Sequence, residues 1–391
     1  TGHAGEAAAG RGPRGYRHLE QVRPEHRVVV VGDLHGMAHK AKALWRTLEE
    51  VLGEQLLLCA LVVFLGDYCD RGLYTKELLC FLAALQRERA RRGGRTVCLL
   101  GNHEFCLLAF LGLLPRPQAA PDFCFRQTWD RDDGTVGRNE RDRWWGAGED
   151  DGTLDAMHLQ GRRWAGSMYE RSYGTAATFA SYGADKGDRE GLRGAMPQEH
   201  LEFLQGCPWV HVEDHALLGR LVFVHAGLQA DGSDACEGQL ERLERRDARE
   251  PQPEALFGRD GVLHTPPQLA RRGTTVISGH HGRVLLRTHR VILDSCCGDE
   301  RNPLTALVLP ETLLVHHDGT LDQRDAGMVF AIRPKPTRWA GDLSPGSSQP
   351  GTPSSVSQLG SASRVGTPPR AGTPPRVGTP PRAGTPPRAS T

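Results

Sequence analysis

Apolar and polar residues form a repeating pattern in the first part of the chain. Short runs of β-branched residues or leucine predict three buried strands, at residues 27–31, 61–65 and 96–100. Apolar residues recur at helical spacing over residues 37–52, 75–90 and 104–114. Strand, loop and helix repeated in this order indicate parallel strands joined by crossover helices.

Strand-like runs return later, at residues 221–224, 274–278, 290–293, 304–309 and 312–315. Their close spacing and the turn signal at Asp318-Gly319 predict an antiparallel sheet. Residues 115–207 are rich in Gly, Asp and Arg and lose periodicity, and we interpret them as a helical or irregular insertion. The predicted fold class is α/β, with two mixed sheets packed face to face and helices outside.

The C-terminal part of the chain has a different composition. Residues 335–391 are dominated by Pro, Gly, Ser and Thr and contain four (V/A)GTPPR repeats. Without an apolar period this tail cannot offset the entropy of ordering, so we expect disorder with some polyproline II. A solvated spacer is the simplest interpretation. The alternative is that proline-directed kinases or modular domains recognise its Thr-Pro sites, Thr367, Thr373, Thr379 and Thr385.

These patterns divide the chain into three parts. We expect a flexible N-terminal segment at residues 1–24, a folded domain at residues 25–334 and the disordered tail at residues 335–391. The longest apolar run, residues 56–65, is too short for a membrane span of about 20 residues, so it predicts a core segment.

Charge and cysteine usage limit the function classes. The chain has 48 basic and 47 acidic residues, so no global field favours nucleic acid or a membrane surface. Ten cysteines occur without a CxxC pair, which is typical of buried thiols in a reducing compartment. We therefore expect a cytoplasmic protein. The small, Arg-containing first fifteen residues leave organellar targeting open.

Five short motifs carry the candidate chemistry, and each follows a predicted strand, where open α/β sheets place their sites. They are GDLHG at 32–36, GDYCDRG at 66–72, GNHE at 101–104, HAG at 225–227 and GHH at 279–281. Any one of them alone is a weak signal, since a lone GNHE, or an HAG after a strand, is more often a turn with a structural histidine. Together and in this order they predict a site. The remaining His211 and His215 are expected on a surface turn.

Six motif residues offer metal-ligand atoms: Asp33, His35, Asp67, Asn102, His225 and His280. Three oxygen and three nitrogen donors suit Mn, Zn or Fe rather than Ca. The carboxylate of Asp67 can bridge two ions. Two ions sharing a water generate hydroxide near neutral pH, which can attack a phosphate. The sequence therefore predicts two metal ions per chain.

Three charged motif residues remain without a ligand role. Arg71 offers a planar fork that matches phosphate oxygens. His103 follows a predicted ligand and is suited to protonate the leaving oxygen, and Asp70 is suited to orient it and raise its pKa. All the groups needed for phosphoryl transfer to water are thus present.

At these residues the chain resembles the calcineurin-like metallophosphoesterases, and within them the PPP protein phosphatases, over residues 27–333. The resemblance implies a four-layer sandwich. It also implies one metal on Asp33, His35 and Asp67, a second on Asp67, Asn102, His225 and His280, with His103 as general acid, Asp70 as its support and Arg71 on the phosphate. HAG and SGHH depart from the HGG and RAHQ-like segments of the eukaryotic serine/threonine enzymes, and their SAPNYC-like motif is absent.

Three further stretches are similar to the plant Rhizobiales-like phosphatases: FLGLLPRP at 110–117, HLQGRRWAG at 158–166 and SGHHG at 278–282. That resemblance implies a phosphoprotein substrate with phosphotyrosine preferred. As a hypothesis, Arg162 or Arg163 supplies a second clamp on the phosphate. The alternative that these arginines are solvated, or pair with acids such as Asp150 and Asp151, stays open.

Other functions also fit parts of the sequence. A serine/threonine phosphatase or a dinucleoside polyphosphate hydrolase of the same superfamily would share the ligand set. A scaffold that acts through the TPPR tail is a third interpretation, and the intact ligand set argues against it.

Overall fold

The computed structural model describes residues 23–114, 159–166, 170–230, 236–248 and 252–325. The described residues form two mixed β-sheets, of six and five strands, with helices packed around them. The predicted α/β fold class with two mixed sheets is thereby confirmed. None of the helices in these ranges is both long and apolar enough to cross a bilayer. The N-terminal segment up to residue 22 and the predicted tail lie outside the described residues.

The first sheet contains the strands predicted near the start of the chain. Its strands, in spatial order, are β11 (Leu321–Gln323), β10 (Leu313–His316), β9 (Thr305–Leu309), β1 (Val28–Val31), β2 (Leu61–Phe64) and β3 (Arg95–Cys98). β1, β2 and β3 are parallel, as predicted. The connections carry α1 (Ala38–Leu52), α2 (Glu54–Cys59) and α3 (Thr75–Arg91). The apolar run at 56–65 is therefore divided between α2 and β2.

The second sheet has the order β4 (Val210–His215), β5 (Gly219–Val224), β6 (Thr275–Ser278), β8 (Arg290–Leu293) and β7 (Val284–Arg287). The prediction that the later strands form one antiparallel sheet is wrong. β6 is parallel to both β5 and β8, and β9 and β10 join the first sheet. The reason is that the β5–β6 connection is a helical crossover, with α10 (Cys236–Glu244), α11 (Glu254–Phe257) and α12 (Pro267–Arg271).

The two sheets pack face to face. Val28 and Val30 of β1 share one buried cluster with Phe223 and Ile277 of the second sheet. The alternate side chains of β1, such as Val29, join a second cluster that contains the helix residues. Both faces of the central strands are buried, which explains why their sequences are continuously apolar rather than alternating.

The described part of the predicted insertion is helical. It contains α5 (Leu159–Ala165), α6 (Glu170–Tyr173), α7 (Ala176–Tyr182), α8 (Arg189–Ala195) and α9 (Gln198–Gly206), after α4 (Asn102–Leu111). Residues 115–158 and 167–169 lie outside the described residues. The surface turn predicted for His211 and His215 is wrong, because both lie in β4, which pairs antiparallel with β5. The burial of residues along β4 does not alternate, so its sequence carries no strand pattern.

Candidate active site

The five motifs meet at one edge of the facing sheets. They follow β1, β2, β3, β5 and β6, and the third of them opens α4. Since the carboxyl ends of parallel strands lie at the same edge, side chains far apart in sequence come into contact there. For example, the carboxylate of Asp67 lies 3.3 Å from the ring of His225, which is carried by the other sheet.

The loops of this edge have an unusual backbone. Positive φ angles occur at His35 (40°), Asp67 (55°), Asp70 (72°), Arg71 (64°) and His280 (70°). Left-handed backbone at a non-glycine residue costs about 1–3 kcal/mol and persists where surrounding contacts over-determine it. These contacts turn the side chains toward a common centre.

Glu104 supplies many of those contacts in the loop after β2. Its fully buried carboxylate accepts the backbone N–H groups of Asp67 (2.8 Å), Tyr68 (2.7 Å) and Cys69 (3.0 Å). It also accepts the N–H of Gly101 at 3.0 Å, which caps α4. One side chain therefore joins the second motif to the third.

One donor group consists of Asp67, His225 and His280, whose ligand atoms lie within 4.8 Å of one another. His225 donates from Nδ1 to the carbonyl of Leu65 at 2.8 Å, so its Nε2 lone pair points the other way. Nε2 then faces two oxygens, Oδ1 of Asn102 at 3.0 Å and Oδ1 of Asp67 at 3.3 Å. Three electron-rich atoms that converge in this way require a proton or a cation between them.

His280 completes this group with an atom that has no partner. Its buried Nε2 makes no hydrogen bond, whereas its backbone N–H reaches the carboxylate of Asp33 at 3.1 Å. The preceding Gly279 allows this approach, because a Cβ there would lie 2.1 Å from Oδ1 of Asp33. An unpartnered buried imidazole nitrogen beside two carboxylates fits a metal ligand.

The other donor group consists of His35, Asp67 and His103. His35 donates from Nδ1 to the carbonyl of Cys69 at 3.1 Å, and its Nε2 lies 3.6 Å from Asp67 and 3.9 Å from Asp33. Asp67 belongs to both groups, and the bridging role predicted for it stays a prediction. His103 belongs to this group because its ring lies close to His35 and Asp67. The sequence, however, predicts that His103 protonates the leaving oxygen rather than binds a metal.

The electrostatics of the cluster also favour cations. Burial, with Asp294 and Asp67 nearby, raises the pKa of Asp33 well above its usual value. Burial works in the same direction at Asp67, but His225 and His103 outweigh it and hold the pKa of Asp67 well below its usual value. Burial lowers the pKa of His280 well below its usual value, so this histidine is neutral and available as a ligand.

Beside the donor groups, His103 forms a dyad with Asp70. Nδ1 of His103 lies 2.7 Å from Oδ2 of Asp70, and both side chains are buried. Nε2 of His103 faces the centre of the site, 3.8 Å from Asp67 and 3.4 Å from Nη2 of Arg71. Arg71 is exposed at the mouth of the site and donates to Nε2 of His35 at 2.6 Å.

A comparison with protein families agrees with this geometry. The sequence profile described as calcineurin-like phosphoesterase matches residues 26–288, which is more than half of the chain and includes all five motifs. The chain belongs to the calcineurin-like phosphoesterase family. Each donor described above lies inside the matched range.

Curated relatives in this family match shorter segments. The chain is 28% identical over 95 residues to Shewanella-like protein phosphatase 1 of Plasmodium berghei (strain Anka), covering 23% of this chain and 25% of the relative. It is 36% identical over 96 residues to Shewanella-like protein phosphatase 2 of Arabidopsis thaliana, covering 24% and 25%. The chain thus spans about a quarter of the length of the curated relatives it matches.

Among solved structures, a cold-active protein-tyrosine phosphatase of a psychrophilic Shewanella species is similar at 14% identity and a TM-score of 0.44. The alignment covers 76% of this chain and 80% of that one.

The structure places the predicted residues of this calcineurin-like phosphoesterase in two locations. The six predicted ligands, together with His103, Asp70 and Arg71, converge at the sheet edge. Arg163 lies on α5 and points its Nη1 at the side-chain oxygen of Gln252, 3.5 Å away. The side chain of Arg162 lies outside the described residues. The second phosphate clamp therefore stays a prediction.

Sequence reasoning missed three residues that hold the site together. Glu104 was part of a motif, and its spacing from Gly101 is the signal of a helix N-cap that could have revealed its role. Trp164 and Thr178 both contact the carboxylate of Asp70, at 2.6 Å each. Thr178 stands in no motif, and Trp164 belongs to the HLQGRRWAG stretch, which did not predict its contact with Asp70.

Proposed function

We propose that this chain is a metal-dependent phosphoprotein phosphatase. The observation that carries the proposal is the convergence of Nε2 of His225 with the oxygens of Asn102 and Asp67, next to a His103–Asp70 dyad. The first feature fits a cation, and the second fits a proton donor. A hydrolase of phosphomonoesters needs both within a few ångströms of each other.

The residues that would hold the metals follow from the donor groups. Asp33, His35 and Asp67 would bind one ion, and Asp67, Asn102, His225 and His280 the other. When bound, the two ions lower the pKa of water and neutralise phosphate charge. The mixed oxygen and nitrogen donors favour Mn, Zn or Fe, and metal analysis of the purified protein decides among them.

The charged residues beside the donors would carry the rest of the chemistry. Arg71 is exposed at the mouth of the site and would orient the phosphate through its guanidinium. As the phosphorus atom gains the oxygen of water and its bond to the ester oxygen breaks, His103 would donate its Nε2 proton to that ester oxygen. Asp70 accepts a hydrogen bond from Nδ1 and so would hold Nε2 toward that ester oxygen. The products are the free hydroxyl compound and phosphate.

Phosphotyrosine is the substrate class we propose. The support is the similarity of the FLGLLPRP, HLQGRRWAG and SGHHG stretches to plant Rhizobiales-like phosphatases. Arg162 and Arg163 of the second stretch would add cations for the phosphate. If Arg162→Ala and Arg163→Ala both leave the KM for a phosphotyrosine peptide unchanged, this part of the proposal is wrong.

Turnover of phosphotyrosine, phosphothreonine and phosphoserine peptides with added Mn tests the function directly. The wild type should prefer phosphotyrosine, and His103→Ala should lose about 10²–10⁴-fold in kcat. His264→Ala, an exposed histidine outside the site, is the matched control. Wild type that binds two metals but hydrolyses no peptide would point to a dinucleoside polyphosphate. Wild type that binds no metal would favour a scaffold.

The tail would provide regulation or partners. We propose that proline-directed kinases modify Thr367, Thr373, Thr379 and Thr385, or that modular domains bind these repeats. Phosphopeptide mass spectrometry of protein from cells tests the first version. Four unmodified threonines would contradict it.

A further inference from the structure

The Asp70 carboxylate is held by more than His103. It is fully buried, and Oδ2 accepts from Nε1 of Trp164 at 2.6 Å in addition to Nδ1 of His103 at 2.7 Å. Oδ1 accepts from the hydroxyl of Thr178 at 2.6 Å, and the same hydroxyl accepts the backbone N–H of Asp70 at 2.9 Å. Both oxygens of this carboxylate therefore have side-chain donors from outside the motifs.

The position of Trp164 depends on close packing of α5 against α4. Gly161 lies so near α4 that a Cβ would approach the backbone nitrogen of Phe110 to 2.4 Å. The indole is fully buried between the rings of Phe110 and Phe179, with centroids at 5.3 and 5.4 Å. The same helix α7 that carries Phe179 carries Thr178. The packing thus aims the indole N–H at Asp70.

This arrangement has a chemical consequence for His103. An indole N–H can only donate, so Trp164 and Nδ1 of His103 both direct a hydrogen bond at Oδ2. With both oxygens held, the carboxylate cannot rotate away from Nδ1. Nε2 of His103 therefore stays directed at the centre of the site, where the leaving oxygen must lie.

We propose that Trp164 and Thr178 are positioning residues for the general acid, an inference that rests on the proposed phosphatase function. They act through Asp70 on the orientation of His103 and touch neither substrate nor metal. Their removal should hence impair proton donation to the leaving group and leave metal binding unchanged. A purely structural role would reduce all activities together.

Substrates with different leaving groups separate these roles. The phenol released from phenyl phosphate has a pKa of about 10, like tyrosine, and needs a proton as it leaves. The nitrophenolate released from 4-nitrophenyl phosphate is stable as an anion and depends less on a general acid.

Trp164→Phe keeps the aromatic packing without the N–H, and Thr178→Val keeps the shape without the hydroxyl. Trp209→Phe, which changes a buried indole packed on Phe105 of α4, is the control.

We expect Trp164→Phe and Thr178→Val each to lower kcat/KM for phenyl phosphate by about tenfold, and that for 4-nitrophenyl phosphate by about twofold or less. Trp209→Phe should change kcat/KM for the two substrates by the same factor. In a His103→Ala background, Trp164→Phe should cause no further loss, because its effect passes through His103. If one variant fails to fold, the other carries the test.

Equal losses on both substrates, or an additive loss in the His103→Ala background, would overturn the inference and leave the proposed function intact. A metal-loaded wild type that hydrolyses neither ester would overturn the proposed function, and the inference with it.

Discussion

The half of the candidate site that holds the proposed metal ligands and the helical half that supports the proposed general acid are built differently. In the first half, each donor lies on a short loop after a parallel strand or, in the case of Asn102, at the first residue of the helix that follows, so a few residues of sequence place each one. In the second half, Trp164 and Thr178 come from α5 and α7 and reach Asp70 across 94 and 108 positions of the chain. Their placement depends on helix packing.

This difference explains which sequence pattern each half of the site produces. Loops that must turn sharply and present a ligand require Gly, Asp and His at set spacings, and the result is a motif. Packed helices require only apolar surfaces that fit, and a supporting indole looks like any other core residue. The first half should therefore fail through loss of metal, and the second through loss of orientation.

The largest effect is expected from Asp67→Asn, which breaks the metal-ligand half at the residue common to both donor groups. Bound metal should fall below two ions per chain, and kcat should drop by about a thousandfold. Metal analysis and peptide turnover measure the two losses. Asp214→Asn, at an exposed position of β4, is the control. Retention of both ions would contradict the shared role of Asp67.

A smaller loss of turnover, without loss of bound metal, is expected from Asp70→Asn. The amide has a single acceptor oxygen, so at least one of the three side-chain donors around it loses its partner. We expect kcat to fall about a hundredfold with both metals retained. Loss of metal in this variant would mean that the two halves are not separable.

The pH dependence of metal affinity tests the ligand half alone. Although burial lowers it, the carboxylate of Asp67 raises the pKa of His225 above its usual 6.5. Below that raised pKa a proton must leave His225 before a metal binds, and Asp33, whose pKa burial raises, must lose one as well. Affinity should therefore fall by up to about tenfold per pH unit for each proton displaced. Burial, Arg71 and His103 lower the pKa of His35 well below 6.5, so His35 stays neutral and adds no loss in the same window. Chelator competition from about pH 8 to about pH 5 measures this, and a flat profile would disprove it.

The smallest effect on activity is expected from Gly161→Ala, which moves the helical half as a unit. The added Cβ would press on the α4 backbone at Phe110, and we expect the free energy of unfolding to fall by about 1–3 kcal/mol. Turnover should fall a few-fold as Trp164 shifts from Asp70. Gly194→Ala in α8 meets no atom within 4 Å and should be neutral or stabilising. Equal stability of the two variants in urea would contradict the close approach.

The same contrast separates the structural features that the sequence predicts from those that it does not. The parallel strands β1, β2 and β3 and the meeting of Asp33, Asp67 and His225 followed from apolar runs and strand-end motifs. The pairing of the later strands did not, because a long helical crossover separates β6 from its parallel partner β5, and β7 comes between β6 and its other parallel partner β8 along the chain. The support from Trp164 could not be foreseen, since it depends on packing between distant helices.

The left-handed loops of the site imply a conflict between stability and activity. Five of the residues proposed to act adopt backbone conformations that glycine would adopt more easily, and each adds to the cost of folding. Arg71 shows this best, because it is exposed and has a φ of 64°. Arg71→Gly should weaken phosphate binding and still raise the free energy of unfolding by about 1 kcal/mol. The sheet edge is therefore a place where the fold gives up stability to hold charged side chains in fixed positions.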